Sequence, residues 1–153
     1  MGRVEESIDV DVPVSTAYNQ WTQFESFPQF MDGVESVTQV TDTASTWVTT
    51  VGGRRQTFTT EITEQHPDER IAWRSTAGDV DHAGVVTFHR LDDHKTRVMI
   101  QIDWEPTDTK EKLGAAVGAD TRQVRADARR FKQFIENRGV ETGGWRGDVE
   151  RPD

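Results

Sequence analysis

From Val4 to Val12 the chain alternates, with Val4, Ile8, Val10 and Val12 on one side and Glu5, Asp9 and Asp11 on the other. A period of two marks a strand with one buried face, and Glu6 interrupts that face near its start. Pro13 ends the strand and Ser15 is placed to cap a helix carrying Tyr18, Trp21 and Phe24 at helical spacing. A second short helix is expected around Phe27 to Met31.

From Val34 to Trp104 alternating segments are separated by turn chemistry at Asp42-Thr43, Gly52-Gly53, Pro67-Asp68, Gly78 to Asp81 and Asp92-Asp93. Six strands joined in this way predict an antiparallel meander. The alternation turns inward Trp47, Thr49 and Val51, then Phe58, Thr60 and Ile62, then Ile71, Trp73 and Ser75. Gly84, Val86 and Phe88 follow, then Val98, Ile100, Ile102 and Trp104.

After Pro106, Asp108 and Glu111 form an Asp-led capping box, and Gly139 stands where a C-cap glycine belongs. The interval predicts one helix of about thirty residues, roughly 45 Å long. Leu113, Val117, Val124, Ala128, Phe131 and Phe134 or Ile135 form a stripe wide enough to lie on a sheet. Residues 140–153, rich in Gly and charge, are expected to form a flexible tail, leaving residues 1–139 as one domain.

This order of elements is that of the helix-grip fold, an α+β architecture. A curved antiparallel sheet of about seven strands wraps a long C-terminal helix, with one or two short N-terminal helices. The stretches VDVPVSTAYNQWTQFESFPQFMDGVESV, EITEQHPDERIAWRS, GVVTFHRL and DARRFKQFIENRG resemble the polyketide cyclase/dehydrase and lipid-transport superfamily, START/Bet v 1-like and also termed SRPBCC. Within it the chain is most similar to bacterial cyclase/dehydrase-type proteins related to the coenzyme Q-binding group. Val12-Pro13-Val14, Trp21, Phe27-Pro28, Phe30-Met31, Pro67 and Trp73 carry the likeness, and these mark packing more than chemistry. The resemblance implies a deep pocket between sheet and helix, used by different members for lipids, quinones, polyketides or plant hormones.

Composition narrows the partners. Only 33% of residues are hydrophobic, so five Trp and seven Phe must supply much of the packing. A formal charge of −9, from 27 acidic and 18 basic residues, repels phosphate backbones and argues against nucleic acid as a partner. With no cysteine there is no disulfide framework, thiolate nucleophile or zinc–thiolate site. The first eleven residues carry charges where a signal peptide needs an apolar run. No stretch approaches the ~20 apolar residues of a membrane span, so a soluble, cytoplasmic protein without an integral membrane segment is expected.

Four histidines are the natural acid/base candidates. His66 and His94 sit at turns and His89 alternates outward, whereas His82 shares the face of Gly84, Val86 and Phe88. His82 and Arg74 are thus the catalytic candidates, although Arg74 alternates away from Trp73. No metal-ligand spacing appears and no cofactor motif is found; Gly52-Gly53 lacks the flanks of a phosphate loop. The basic run Arg122, Arg125, Arg129, Arg130 and Lys132 fits a solvated helix face paired with Asp120, Asp127 and Glu136. The small residues Gly114, Ala115, Ala116, Gly118 and Ala119 fit either room for a ligand or close helix-to-sheet packing.

The cavity is expected between the segment Phe30 to Val34, the inward strand aromatics and the long helix, which gives as its lining Phe30, Met31, Val34, Trp47, Phe58, Trp73, Phe88, Trp104, Leu113 and Val117. The leading functional expectation is binding, sequestration or transport of a small hydrophobic or aromatic molecule, such as a lipid, quinone or polyketide-like compound, without a cofactor. One alternative is a cyclase or dehydratase acting on a polyketide-like substrate. Another is an interaction module whose long helix or tail engages a protein partner or a second copy.

Overall fold

The computed structural model describes residues 2–31, 34–51, 54–78, 81–105, 110–144 and 147, with the backbone alone at 2, 3, 51, 54, 81, 82, 104, 105, 110–121 and 123. Its strands are β1 (Gly2–Val10), β2 (Val34–Gln39), β3 (Ala44–Val51), β4 (Arg54–His66), β5 (Arg70–Gly78), β6 (Asp81–Asp92) and β7 (Lys95–Glu105). They form one antiparallel sheet in the order β1-β7-β6-β5-β4-β3-β2. The meander runs from β2 to β7 as the turn spacing predicts, and β1 pairs with β7 at the far edge.

Helix α1 (Val14–Trp21) and a 3-10 helix (Phe24–Gln29) connect β1 to β2. Ser15 does not cap α1. It lies inside the first turn, and Pro13 holds the N-cap position with φ −60° and ψ 154°. The proline ring fixes that φ, and the Pro13 carbonyl accepts from the Ala17 N–H at 3.1 Å, so the helix starts two residues earlier than expected. The second helix also starts early, at Phe24, and Pro28 inside it removes one backbone donor.

Inward alternation organises the core. Phe58, Thr60, Ile62, Ile71, Val86, Phe88, Val98 and Ile100 are buried, with Trp47, Trp73 and Ile102 packed partly buried against them. The β4–β5 register shifts twice, between Thr59 and Thr60 and between Ile62 and Glu64. Such bulges bend and twist a strand, which helps the sheet curl. The second shift turns Gln65 inward opposite Ile71, where strict alternation from Ile62 would have placed Glu64. Gln65 is 1% exposed and donates to the Tyr18 hydroxyl at 2.9 Å.

Helix α2 (Lys110–Arg138) runs for 29 residues, about 44 Å at roughly 1.5 Å per residue. Ala128, Phe131 and Ile135 are buried along the predicted stripe, with Val124 and Phe134 half-buried. Phe131 meets Trp21 at 5.2 Å and Phe30 at 5.3 Å between ring centroids, which joins α2 to α1 and the 3-10 helix. Asp108 and the side chains of Glu111, Leu113 and Val117 lie outside the described residues. Gly139 ends the helix with φ +74°, and its N–H reaches the Ile135 carbonyl at 2.8 Å, the left-handed cap its position predicts.

Polar contacts fix α2 against β1. Glu6, the break in that strand's apolar face, accepts from Arg125 at 3.0 Å. Lys132 donates to the Asp9 carbonyl at 2.9 Å and to Glu136 at 2.6 Å, and Glu136 also accepts the Asp11 N–H at 2.7 Å. Of the basic run, Arg125, Arg130 and Lys132 are thus carboxylate partners, while Arg122 and Arg129 are exposed.

Beyond Gly139 the described chain folds back on α1, in a stretch expected from its composition to be loose. Thr142 accepts from the Gln20 side-chain amide at 3.1 Å and donates its own N–H to the Gln20 carbonyl oxygen at 2.9 Å. Asn19 donates to Glu141 at 2.7 Å. Gln20 is fully buried, so these groups satisfy an amide that water cannot reach.

Candidate functional site

A cavity of about 170 Å³ remains between the sheet, the 3-10 helix and α2. Trp21, Phe24 and Phe27 form one wall, continued by Met31 and Val34 as the chain enters β2. The opposite side is the inner face of the sheet: Trp47 on β3, Phe58 and Ile62 on β4, Ile71 and Trp73 on β5, then Val86, Ile100 and Ile102. Val124, Asp127 and Ala128 border it from α2, and Thr43, Ser45, Thr49 and Thr60 contribute the hydroxyls.

Trp47 is the best-fixed ring of this lining. It stacks on Phe58 at 6.0 Å with 12° between planes, directly across the strand pair, and its Nε1 donates to Thr60 Oγ1 at 2.8 Å. Phe27 lies 5.6 Å from it, so sheet and 3-10 helix hold the indole between them. Trp73 gains its space from Gly84, its register partner on β6, where any Cβ would fall 2.4 Å from the ring. Trp21 is 4% exposed, and its indole N–H meets no acceptor among the described residues.

Of the residues expected at the cavity, Met31, Val34, Trp47, Phe58 and Trp73 border it. Phe30 and Phe88 instead belong to the packed core. Phe30 lies among Trp21, Phe131 and Phe134, and Phe88 stands edge-on to Tyr18 at 5.4 Å. An apolar pattern brings both inside without distinguishing a residue at the cavity from one packed beside it. The side chains of Trp104, Leu113, Val117 and His82 lie outside the described residues. Arg74 is exposed on the outer face, as its alternation indicates, and has no place at this cavity.

Three histidines are accounted for elsewhere. His66 contacts Glu64 at 3.2 Å, a carboxylate that Arg70 also reaches at 3.4 Å. His89 is exposed and bonds Thr87 at 3.0 Å, and His94 is exposed in the β6–β7 turn. Among the described lining residues Asp127 is the ionisable group; its side chain is 14% exposed and accepts from Arg130 at 3.1 Å. No cluster among the described residues could hold a metal ion, and no described helix is long and apolar enough to cross a membrane.

Several lining residues were not singled out by sequence reasoning. Thr49 and Thr60 alternate inward, but the search favoured aromatic side chains. Phe24 and Phe27 depend on a 3-10 helix whose start the sequence did not mark. Asp127 carries no apolar signal and was expected only as a partner on the solvated face.

A curled antiparallel sheet closed by a long C-terminal helix over an apolar cavity defines a START-like, helix-grip protein. The chain belongs to the polyketide cyclase/dehydrase and lipid transport family, whose sequence profile matches residues 10–133. It is 60% identical over 149 residues to an uncharacterized 17.2 kDa protein of Streptomyces lincolnensis from the melC2–rnhH intergenic region, covering 97% of this chain and 99% of that one. Its fold is similar to that of the Zhui aromatase/cyclase from Streptomyces sp. R1128, with a TM-score of 0.77 and 16% identity over 94% of this chain and 98% of the other. A START superfamily protein from Mycobacterium smegmatis gives a TM-score of 0.70 at 14% identity, over 88% and 99%. At these identities the two structures establish the fold alone.

Proposed function

We propose that this protein binds a small, largely aromatic or apolar molecule in the interior cavity and sequesters or carries it. The observation that carries this reading is the cavity itself. Protein interiors are packed at crystal-like density, so about 170 Å³ bordered by Trp21, Phe27, Trp47, Phe58 and Trp73 is space the fold leaves unfilled. An apolar cavity of roughly 150 Å³ accepts a benzene-sized molecule. An aromatic ring buries on the order of 150 Å² or more, worth ~4 kcal/mol at ~25 cal/mol per Å² before association costs. Affinity for a single ring is therefore expected to be no tighter than about the millimolar range, tightening as a ligand contacts more of the wall.

The catalytic alternative, a cyclase or dehydratase, draws on Asp127, a carboxylate at the same cavity. In that role it would accept a proton from an enolisable carbonyl compound. Native mass spectrometry of protein purified from its own host tests the binding reading, with an added mass released on denaturation as the expected result. Protein that carries nothing and shows no saturable binding of ring compounds would sink it. Turnover of a poly-carbonyl substrate that Asp127→Asn abolishes, with binding retained, would replace it by the catalytic one.

A further inference from the structure

The polar groups of the cavity are not spread evenly. Thr43, Ser45, Thr49 and Thr60 lie on β3, on β4 or in the turn leading into β3, while the rings of Trp21, Phe24 and Phe27 face from the 3-10 side and Trp73 with aliphatic residues covers β5 to β7. Ser45 and Thr60 are register partners, so their Cβ atoms stand about 5 Å apart on the same inner face. Thr60 already accepts the Trp47 indole N–H, which leaves its own hydroxyl proton to donate.

Two interior hydroxyls away from the cavity find partners within the protein: Thr96 donates to the Val12 carbonyl at 2.9 Å and Thr22 to the Asn19 carbonyl at 2.6 Å. Ser45 is 5% exposed and lines the cavity, and its hydroxyl makes no hydrogen bond among the described residues. A hydroxyl that opens on a cavity without a protein partner can be satisfied by what occupies the cavity. Charge sharpens the choice. No Lys, Arg or His is among the described lining residues to pair with an anion in a site of low dielectric, and the carboxylate there, Asp127, is already bonded to Arg130.

Resting on the binding reading above, we propose that Ser45, with Thr60 beside it, is the hydrogen-bonding anchor of the cavity. It selects neutral ring compounds bearing a hydroxyl or carbonyl oxygen over both hydrocarbons and carboxylates. The ring of such a ligand lies against Trp47 and its oxygen meets Ser45. A free fatty acid or aromatic acid would bring an anion to a wall whose described residues offer hydroxyls and a carboxylate but no cation.

The test is a protein-observed NMR titration of the full chain with toluene, p-cresol and p-toluate, which share a methyl-bearing ring and differ at the para position. p-Cresol is expected to bind roughly two- to tenfold more tightly than toluene, the worth of one net hydrogen bond, and p-toluate more weakly than either. In Ser45→Ala, p-cresol should lose its advantage and bind no more tightly than toluene does to the same variant. Toluene binding as well as p-cresol, p-toluate binding best, or Ser45→Ala weakening toluene as much as p-cresol would each overturn the anchor while leaving cavity binding intact. Binding of none of the three would remove the binding reading and the anchor with it. The wild-type ranking decides the matter even if Ser45→Ala does not fold, which a melting curve will show.

Discussion

The indole of Trp73 occupies the space that a side chain on Gly84 would need, since a Cβ there would fall 2.4 Å from Cζ2 of the ring. Trp73 and Gly84 are register partners on β5 and β6, and Trp73 lines the cavity. Gly84→Ala should therefore displace the ring toward the cavity, at a cost of about 1–3 kcal/mol for overpacking. The check is a melting curve with a ring-compound titration, in which both stability and binding should fall. Trp73→Phe in the Gly84→Ala background should recover part of the stability, because the two residues compete for one volume. Strictly additive effects would contradict the contact.

Tyr18 and Gln65 form a buried hydrogen bond at 2.9 Å between α1 and β4. Tyr18→Phe removes the acceptor and leaves one amide N–H of Gln65 without it in the interior, a loss of about 1–3 kcal/mol. Urea denaturation measures it. Tyr18→Phe combined with Gln65→Leu should cost less than the sum of the two single changes, since the double variant leaves no orphaned donor.

The same pair shows what was legible in the sequence and what was not. Tyr18 on an apolar helix face and the inward sides of the strands followed from period alone, because local spacing dictates which side of an element is apolar. Gln65 did not. Its burial depends on the extra residue in β4, and a bulge has no fixed signature in the alternation that it interrupts. The cavity was readable as an inward aromatic surface, but not which rings border it: Phe30 and Phe58 both point inside, yet only Phe58 is among its lining. That distinction depends on how α2 and the 3-10 helix seat against the sheet, a tertiary property no single segment encodes.

Acid should loosen the attachments of β1 to β7 and to α2. The Arg97 hydrogen bond holds Asp9 below the ordinary carboxylate range, against a smaller opposing effect of burial, with help from the charges of Arg97, Lys95 and Lys132. Burial would raise Glu136, but the hydrogen bonds from Lys132 and the Asp11 N–H, with the charges of Lys132 and Lys95, outweigh it and lower its pKa. Carboxylates depressed in the folded state contribute stability that is complete above their unfolded pKa, near about 4, and lost as pH falls through the folded values. Melting temperature should accordingly drop below about pH 4. Glu136→Gln should be less stable than wild type near neutrality by at most about 1 kcal/mol, the pair being partly exposed, and the gap should close in acid. A gap that widens in acid would show that the sign is wrong.

The last expectation concerns where the folded unit ends. Gln20 is fully buried, and Thr142 meets both sides of its amide, accepting at 3.1 Å and donating at 2.9 Å. Asn19, one residue earlier on α1, donates to Glu141. Removing residues 141–153 would leave the Gln20 amide without either contact while it is still enclosed by α1 and its neighbours. We expect a loss of about 1–3 kcal/mol, the usual cost of orphaning a buried polar group. A chain truncated after residue 144 should keep most of the stability of the full chain, since it retains every contact just named. Thermal melting of the two truncated chains beside the full one separates the possibilities. Equal stability of all three would mean that residues 141–144 rest on α1 without supporting it, and that the domain ends at Gly139.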